Sequence, residues 1–133
     1  MRNMTLNSTF GTGQTLTITG IPGLKATNFA VNIGPDNDDI VLHVNPRFNH
    51  YGEHKKVIFN SCEGGSWGSW IRGEEFPFFH GVEFKIVIKF TGKEFVVSFF
   101  DGSNVVFPNR IGLQQYSHIT VDGDVCITSF AIV

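Results

Sequence analysis

Apolar and polar residues alternate over short stretches of this chain and nowhere recur at the three- and four-residue spacing of an amphipathic helix, which predicts strands throughout. Candidate strands cover residues 4–10, 14–19, 28–33, 40–48, 56–61, 67–72, 82–90, 94–100, 104–107, 119–121 and 125–133. Turn signals separate them, among them Gly34-Pro35-Asp36-Asn37, Thr91-Gly92-Lys93, Asp101-Gly102-Ser103-Asn104 and Asp122-Gly123-Asp124. Many short strands joined by short turns describe an all-β chain, an antiparallel two-sheet β-sandwich. The fourteen Phe residues fall mostly inside candidate strands, where they can fill the space between two sheets.

A length of 133 residues with 41% hydrophobic content suits one domain around one core, so residues 1–133 are read as a single unit. A net charge of -2 supplies no basic field for nucleic acid or anionic lipid, and neither partner is expected. No run of eighteen apolar residues predicts membrane insertion, and the segment MRNMTLNSTFGTG has no apolar signal-peptide core. Synthesis in the cytoplasm is the expectation, with the sequons at Asn3 and Asn7 unused. Cys62 and Cys126 read as free thiols, because two cysteines without a signal do not make a disulfide framework.

Catalytic chemistry is thin. Gly64-Gly65-Ser66-Trp67-Gly68 spells Gly-x-Ser-x-Gly, but a nucleophile elbow needs a strand-to-helix turn and no helix is predicted here. There is also no locally placed pair of carboxylates and no phosphate-cradling loop, since Gly64-Gly65-Ser66 lacks the following Lys and helix. His50 and His54 stand four apart, a spacing that converges on a helix but not in strand context, so neither a metal nor another cofactor is expected. His80 and His118 read as surface residues near turns.

The informative stretch runs from residue 40 to residue 72. His43, Asn45 and Arg47 alternate along one candidate strand and therefore share a face, while Leu42, Val44, Pro46 and Phe48 share the other and can bury. Imidazole, amide and guanidinium in a row offer donors and acceptors suited to a ligand with several hydroxyls. Pro46 cannot donate to a ladder, so the strand is expected to bend or lose pairing there. Asn60 closes the next strand, and after a turn Trp67-Gly68 leaves one face of the indole uncrowded. Taken singly these residues have plainer readings: Trp67 in the core, His43 a solvated or satisfied histidine, Arg47 paired on the surface with Glu53.

Together, His43-Val44-Asn45-Pro46-Arg47-Phe48, Asn60, Trp67-Gly68 and Arg72 resemble the carbohydrate-recognition signature of the galectins. Phe76-Pro77-Phe78, Asp101-Gly102 and Phe107-Pro108-Asn109-Arg110 are also similar to galectin sequence, so the resemblance spans roughly residues 5 to 133. It implies a jelly-roll sandwich whose concave sheet binds β-galactoside glycans, such as lactose or N-acetyllactosamine on glycoproteins. His43, Asn45 and Arg47 would then meet the axial 4-hydroxyl of galactose and Asn60 the 6-hydroxyl, with Trp67 stacked on the ring. The resemblance also implies pairing through terminal strands into a homodimer, and a cytoplasmic protein exported to the extracellular space without a signal peptide. The apolar ending Phe130-Ala131-Ile132-Val133 fits an edge-to-edge partner, or serves simply to cover the chain's own core.

One departure stands out. Galectins carry Glu three positions after the Trp, and here that position is Trp70. In the resemblance that Glu accepts hydroxyl hydrogen bonds from galactose and the next sugar, and it holds an arginine pair. Losing a charged acceptor costs about 1.5–3 kcal/mol, or roughly 10- to 150-fold in affinity. Glu53 or Glu74 could supply the missing counter-charge in part, and Tyr51 stands where some relatives have a His near the second sugar. Lactose binding is therefore expected to be weakened, or redirected beyond galactose with Trp70 as a second stacking surface. The alternative is a galectin-fold structural or protein-interaction protein that has lost lactose binding.

Overall fold

The computed structural model describes residues 2–133, and side chains from residue 4 onward. Its strands are β1 (Arg2–Leu6), β2 (Phe10–Gly11), β3 (Thr15–Pro22), β4 (Phe29–Gly34), β5 (Ile40–His50), β6 (Glu53–Glu63) and β7 (Ser66–Trp67). Then follow β8 (Ile71–Arg72), β9 (Phe84–Phe90), β10 (Glu94–Phe99), β11 (Asn104–Pro108), β12 (Gln115–Tyr116), β13 (His118–Gly123) and β14 (Val125–Ile132). One sheet runs in the order β1-β13-β4-β5-β6-β7, with β8 also on β6; the other runs β11-β10-β9-β3-β14. All pairings are antiparallel, and the chain is an all-β sandwich.

Ten of the fourteen Phe residues are buried between the sheets, which explains how so small a domain finds its core. Phe29 and Phe84 stack across the interface at 5.0 Å, and Phe78 meets Phe99 edge-on at 5.6 Å. On β5 the alternation resolves as the sequence implies: Leu42, Val44 and Phe48 join this core, while His43 and Arg47 lie on the opposite face. Tyr51 and Gly52 close the β5–β6 hairpin with φ of 46° and 77°, the two positive values of a type I′ turn.

Pro46 acts on one side of β5 only. Pairing with β6 keeps its register through Pro46↔Val57, but the ladder with β4 stops at Val31↔Val44 and returns as a single bridge, Asn28↔Arg47. Phe48 N–H donates to the Thr27 carbonyl, which places Phe29 and Pro46 two residues on, at the next hydrogen-bonding pair. Pro46 has no N–H to give, and Asn45 Nδ2 donates to the Phe29 carbonyl instead, at 2.7 Å.

Two strand expectations need correction. Residues 4–10 divide into β1 and β2, and the β2 pairing with β12 at Tyr116 was not foreseen. Residues 67–72 are not one strand: Cys62↔Trp67 and Phe59↔Ile71 leave two residues of β6 opposite three, Gly68, Ser69 and Trp70. That extra residue is a β-bulge, fastened by Gly68 N–H to the Ser61 carbonyl at 2.9 Å and Asn60 Nδ2 to the Gly68 carbonyl at 3.0 Å.

Candidate functional site

The bulge decides the site. Strict alternation would turn Trp67 and Arg72, five residues apart, to opposite faces; one extra residue restores them to the same face. A groove of about 560 Å³ results, lined by His43, Asn45, Arg47 and His50 of β5, Ile58 and Asn60 of β6, Trp67, Gly68 and Trp70. Asn28, Ala30 and Asp122 extend it over β4 and β13. Trp67 and Trp70 are 52% and 49% exposed, so both indoles are wall rather than core. The Trp67 ring lies 4.7 Å from the His43 ring.

Buried amides fix the groups on the groove floor. Asn32 Nδ2 donates to Thr120 Oγ1 at 3.2 Å and to Asp122 Oδ2 at 3.0 Å, so its Oδ1 is the acceptor toward His43 Nδ1 at 2.6 Å. Nδ1 therefore carries the proton, and His43 Nε2 is an acceptor. Burial, helped by the charge of Arg47, lowers the His43 pKa to about 4 against the weaker opposing pulls of Asp122 and Asn45, and the ring is neutral at pH 7. Asn45 spends Nδ2 on the Phe29 carbonyl and on Asn28 Oδ1 at 3.2 Å, and its Oδ1 accepts Arg47 Nε at 2.7 Å. Arg47 is thus aimed by Asn45 with its terminal amino groups left for a ligand. Its pKa is lowered, first by burial, while Glu53 pulls it up and Arg72 down.

Arg72 is held by Glu53 through Nε at 2.7 Å and through Nη2, and its guanidinium lies over the Trp70 ring at 4.7 Å. This hydrogen bond holds the Glu53 carboxyl below the usual carboxylate range. Glu53 thus serves Arg72 rather than forming the plain surface pair with Arg47. Neither Arg72 nor Glu74 lines the groove itself; both border another depression with Phe99 and Ser103, and Arg72 reaches the groove wall only through Trp70. Tyr51 is 86% exposed at the hairpin tip, its ring 4.3 Å from that of His50. His50 faces the groove and His54 the opposite depression with Phe48 and Phe76, so the two do not converge.

Sequence reasoning missed Asn32, Asp122 and Arg110. Arg110 Nη1 donates to Asn60 Oδ1 at 3.3 Å and to Ser61 Oγ at 3.1 Å, behind the amide that faces the groove. The Phe107–Arg110 segment carried a family signal, but nothing in it pointed to Asn60.

An open groove floored by imidazole, amide and guanidinium, and walled by exposed indoles on a sandwich sheet, defines a carbohydrate-binding β-sandwich, a lectin. The family model described as galactoside-binding lectin matches residues 2–132. The chain belongs to that family, the galectins. It is 42% identical to a beta-galactoside-binding lectin of Electrophorus electricus over 92% of this chain and 91% of the relative. It is 35% identical to galectin-1 of Sus scrofa over 84% of this chain and 83% of that protein. Among solved structures, Dario rerio galectin-1-L2 superposes with TM-score 0.94 at 44% identity, covering 96% of this chain and 98% of that one. Congerin II liganded by lactose and MES does so with TM-score 0.94 at 29% identity, over 100% of both chains.

Proposed function

We propose that the chain is a β-galactoside-binding lectin that holds terminal galactose of lactose-type glycans on glycoproteins in this groove, without a metal and without catalysis. The carrying observation is that His43, Asn45, Arg47, Asn60 and Trp67 line one open surface. The His43 Nε2 acceptor, the Arg47 amino groups and the free Asn60 Nδ2 hydrogen are matched to hydroxyls, and the Trp67 face to the less polar C–H side of a hexose. An axial 4-hydroxyl would complete the row. A sugar without it leaves polar groups unpaired, which is how such a site rejects glucose.

Trp70 modifies this site in our reading. It removes the acceptor that Glu would offer to galactose and the next sugar, and it sets an indole, backed by Arg72, where the second ring would lie. Weakened lactose binding with a preference for partners that can stack follows. Calorimetric titration with lactose before and after Trp70→Glu is the test, with tightening of up to roughly 10- to 150-fold expected. Equal or weaker binding by the variant would discard this role for position 70. Retention of the wild-type chain on lactose-agarose, with elution by lactose, separates the lectin from a galectin fold that no longer binds sugar.

A homodimer is part of the proposal. β1 and β14 are the outer strands of their respective sheets, and each pairs on one side only. Ile127, Phe130 and Ile132 pack partly against the core, so the offer to a second copy is chiefly the unpaired backbone edge of β14.

A further inference from the structure

The groove does not end at Asn60. Beyond Gly68 a second depression of about 320 Å³ opens, lined by Ser61, Glu63, Ser66, Gly68, Ser69 and Arg110. Gly68 forms the sill between the two: a Cβ there would come within 3.0 Å of Arg110 Nη1 and 3.3 Å of Ser61 Oγ, closing the passage. The Arg110 guanidinium lies 4.5 Å above the Phe107 ring and donates to Asn60 and Ser61, all neutral partners. Glu63 lines the same depression, yet among the described residues no ion pair joins it to Arg110.

We propose that Arg110 and the hydroxyls of Ser61, Ser66 and Ser69 form an anion subsite, selecting galactosides that carry a sulfate on the 6-oxygen of galactose. The proposal rests on the groove reading above, in which Asn60 meets the 6-hydroxyl. A sulfate at that oxygen passes over Gly68 toward a forked, permanently charged donor and neutral hydroxyls, the chemistry that sulfate oxygens accept from. Two features limit the negative charge that a sulfate would meet, which leaves Glu63 as the acid lining the depression beside Arg110. Trp70 stands where the resemblance puts a carboxylate against galactose and the next sugar. The acid that does line the groove, Asp122, sits on β13, three strands from β6, or about 14 Å away at ordinary strand spacing.

Titrations of the full chain with lactose, 6′-sulfolactose and 3′-sulfolactose at low and high salt test it. The 6′-sulfated sugar should bind about three- to tenfold tighter than lactose at low salt, with the advantage fading as salt is added. Arg110→Gln should cut that ratio. Ser69→Asp, which adds a negative charge to the depression without touching the galactose contacts, should cancel it while lactose affinity stays within about twofold. The subsite is refuted if lactose binds and the 6′-sulfated sugar gains nothing, or if the 3′ isomer gains as much. Failure of all three sugars to bind sinks the groove reading itself, and this inference with it.

Discussion

A neutral imidazole works as an acceptor only while something keeps its proton on the far nitrogen, and in this groove that is Asn32, itself oriented by Asp122 and Thr120. Because the His43 pKa lies near 4, lactose affinity should stay level from pH 8 to about 5 and drop as Nε2 gains a proton. Asn32→Asp places a carboxylate against Nδ1, raises that pKa and moves the drop to higher pH; ring nitrogen shifts in NMR and affinity against pH would both show it. Stability follows the same proton. The unfolded chain protonates His43 near 6.5 and the folded chain only near 4, so the contribution is whole above about pH 6.5 and is lost as pH falls toward 4. Over that window it amounts to about 3 kcal/mol. His43→Gln should remove this component, read as a flatter dependence of urea-unfolding free energy on pH than the wild type shows.

Strand β5 is where an element was most legible in advance. Its alternation assigned Leu42, Val44 and Phe48 to the core and His43 and Arg47 to the open face, and Pro46 announced a break in pairing. The physical use of that break was not legible, since it depends on the Phe29 carbonyl across the sheet. Asn45→Ala leaves that buried carbonyl unpaired and should cost about 1–3 kcal/mol in urea unfolding. Adding Pro46→Ala supplies an N–H at the same register and should recover about 1 kcal/mol, a rescue that an Asn45 acting on sugar alone would not show. The bulge after Trp67 was hidden for a related reason: a bulge is defined by counting residues against the partner strand, and one strand's own pattern cannot reveal it. Arg110 and Asp122 escaped because their partners, Asn60 and Asn32, lie 50 and 90 residues away in sequence.

For the whole molecule, two open sheets, one of them bounded by the eight-residue β14, pose the question of what meets their edges. Sedimentation from low to high micromolar concentration should show a monomer–dimer equilibrium, and Ala131→Lys on exposed β14 should hold the chain as monomer with lactose affinity per site unchanged. A single species of one chain's mass at every concentration would rule the homodimer out. Two grooves on one dimer would strengthen attachment to surfaces that display many glycans. Within either form, Ser69 and Trp70 stand outside the ladder, anchored through Gly68 on one side and Ile71 on the other. Exchange of the residue at position 70 therefore leaves sheet pairing and the packed interior untouched, so taste for the second sugar can drift there over evolutionary time while the fold stands still.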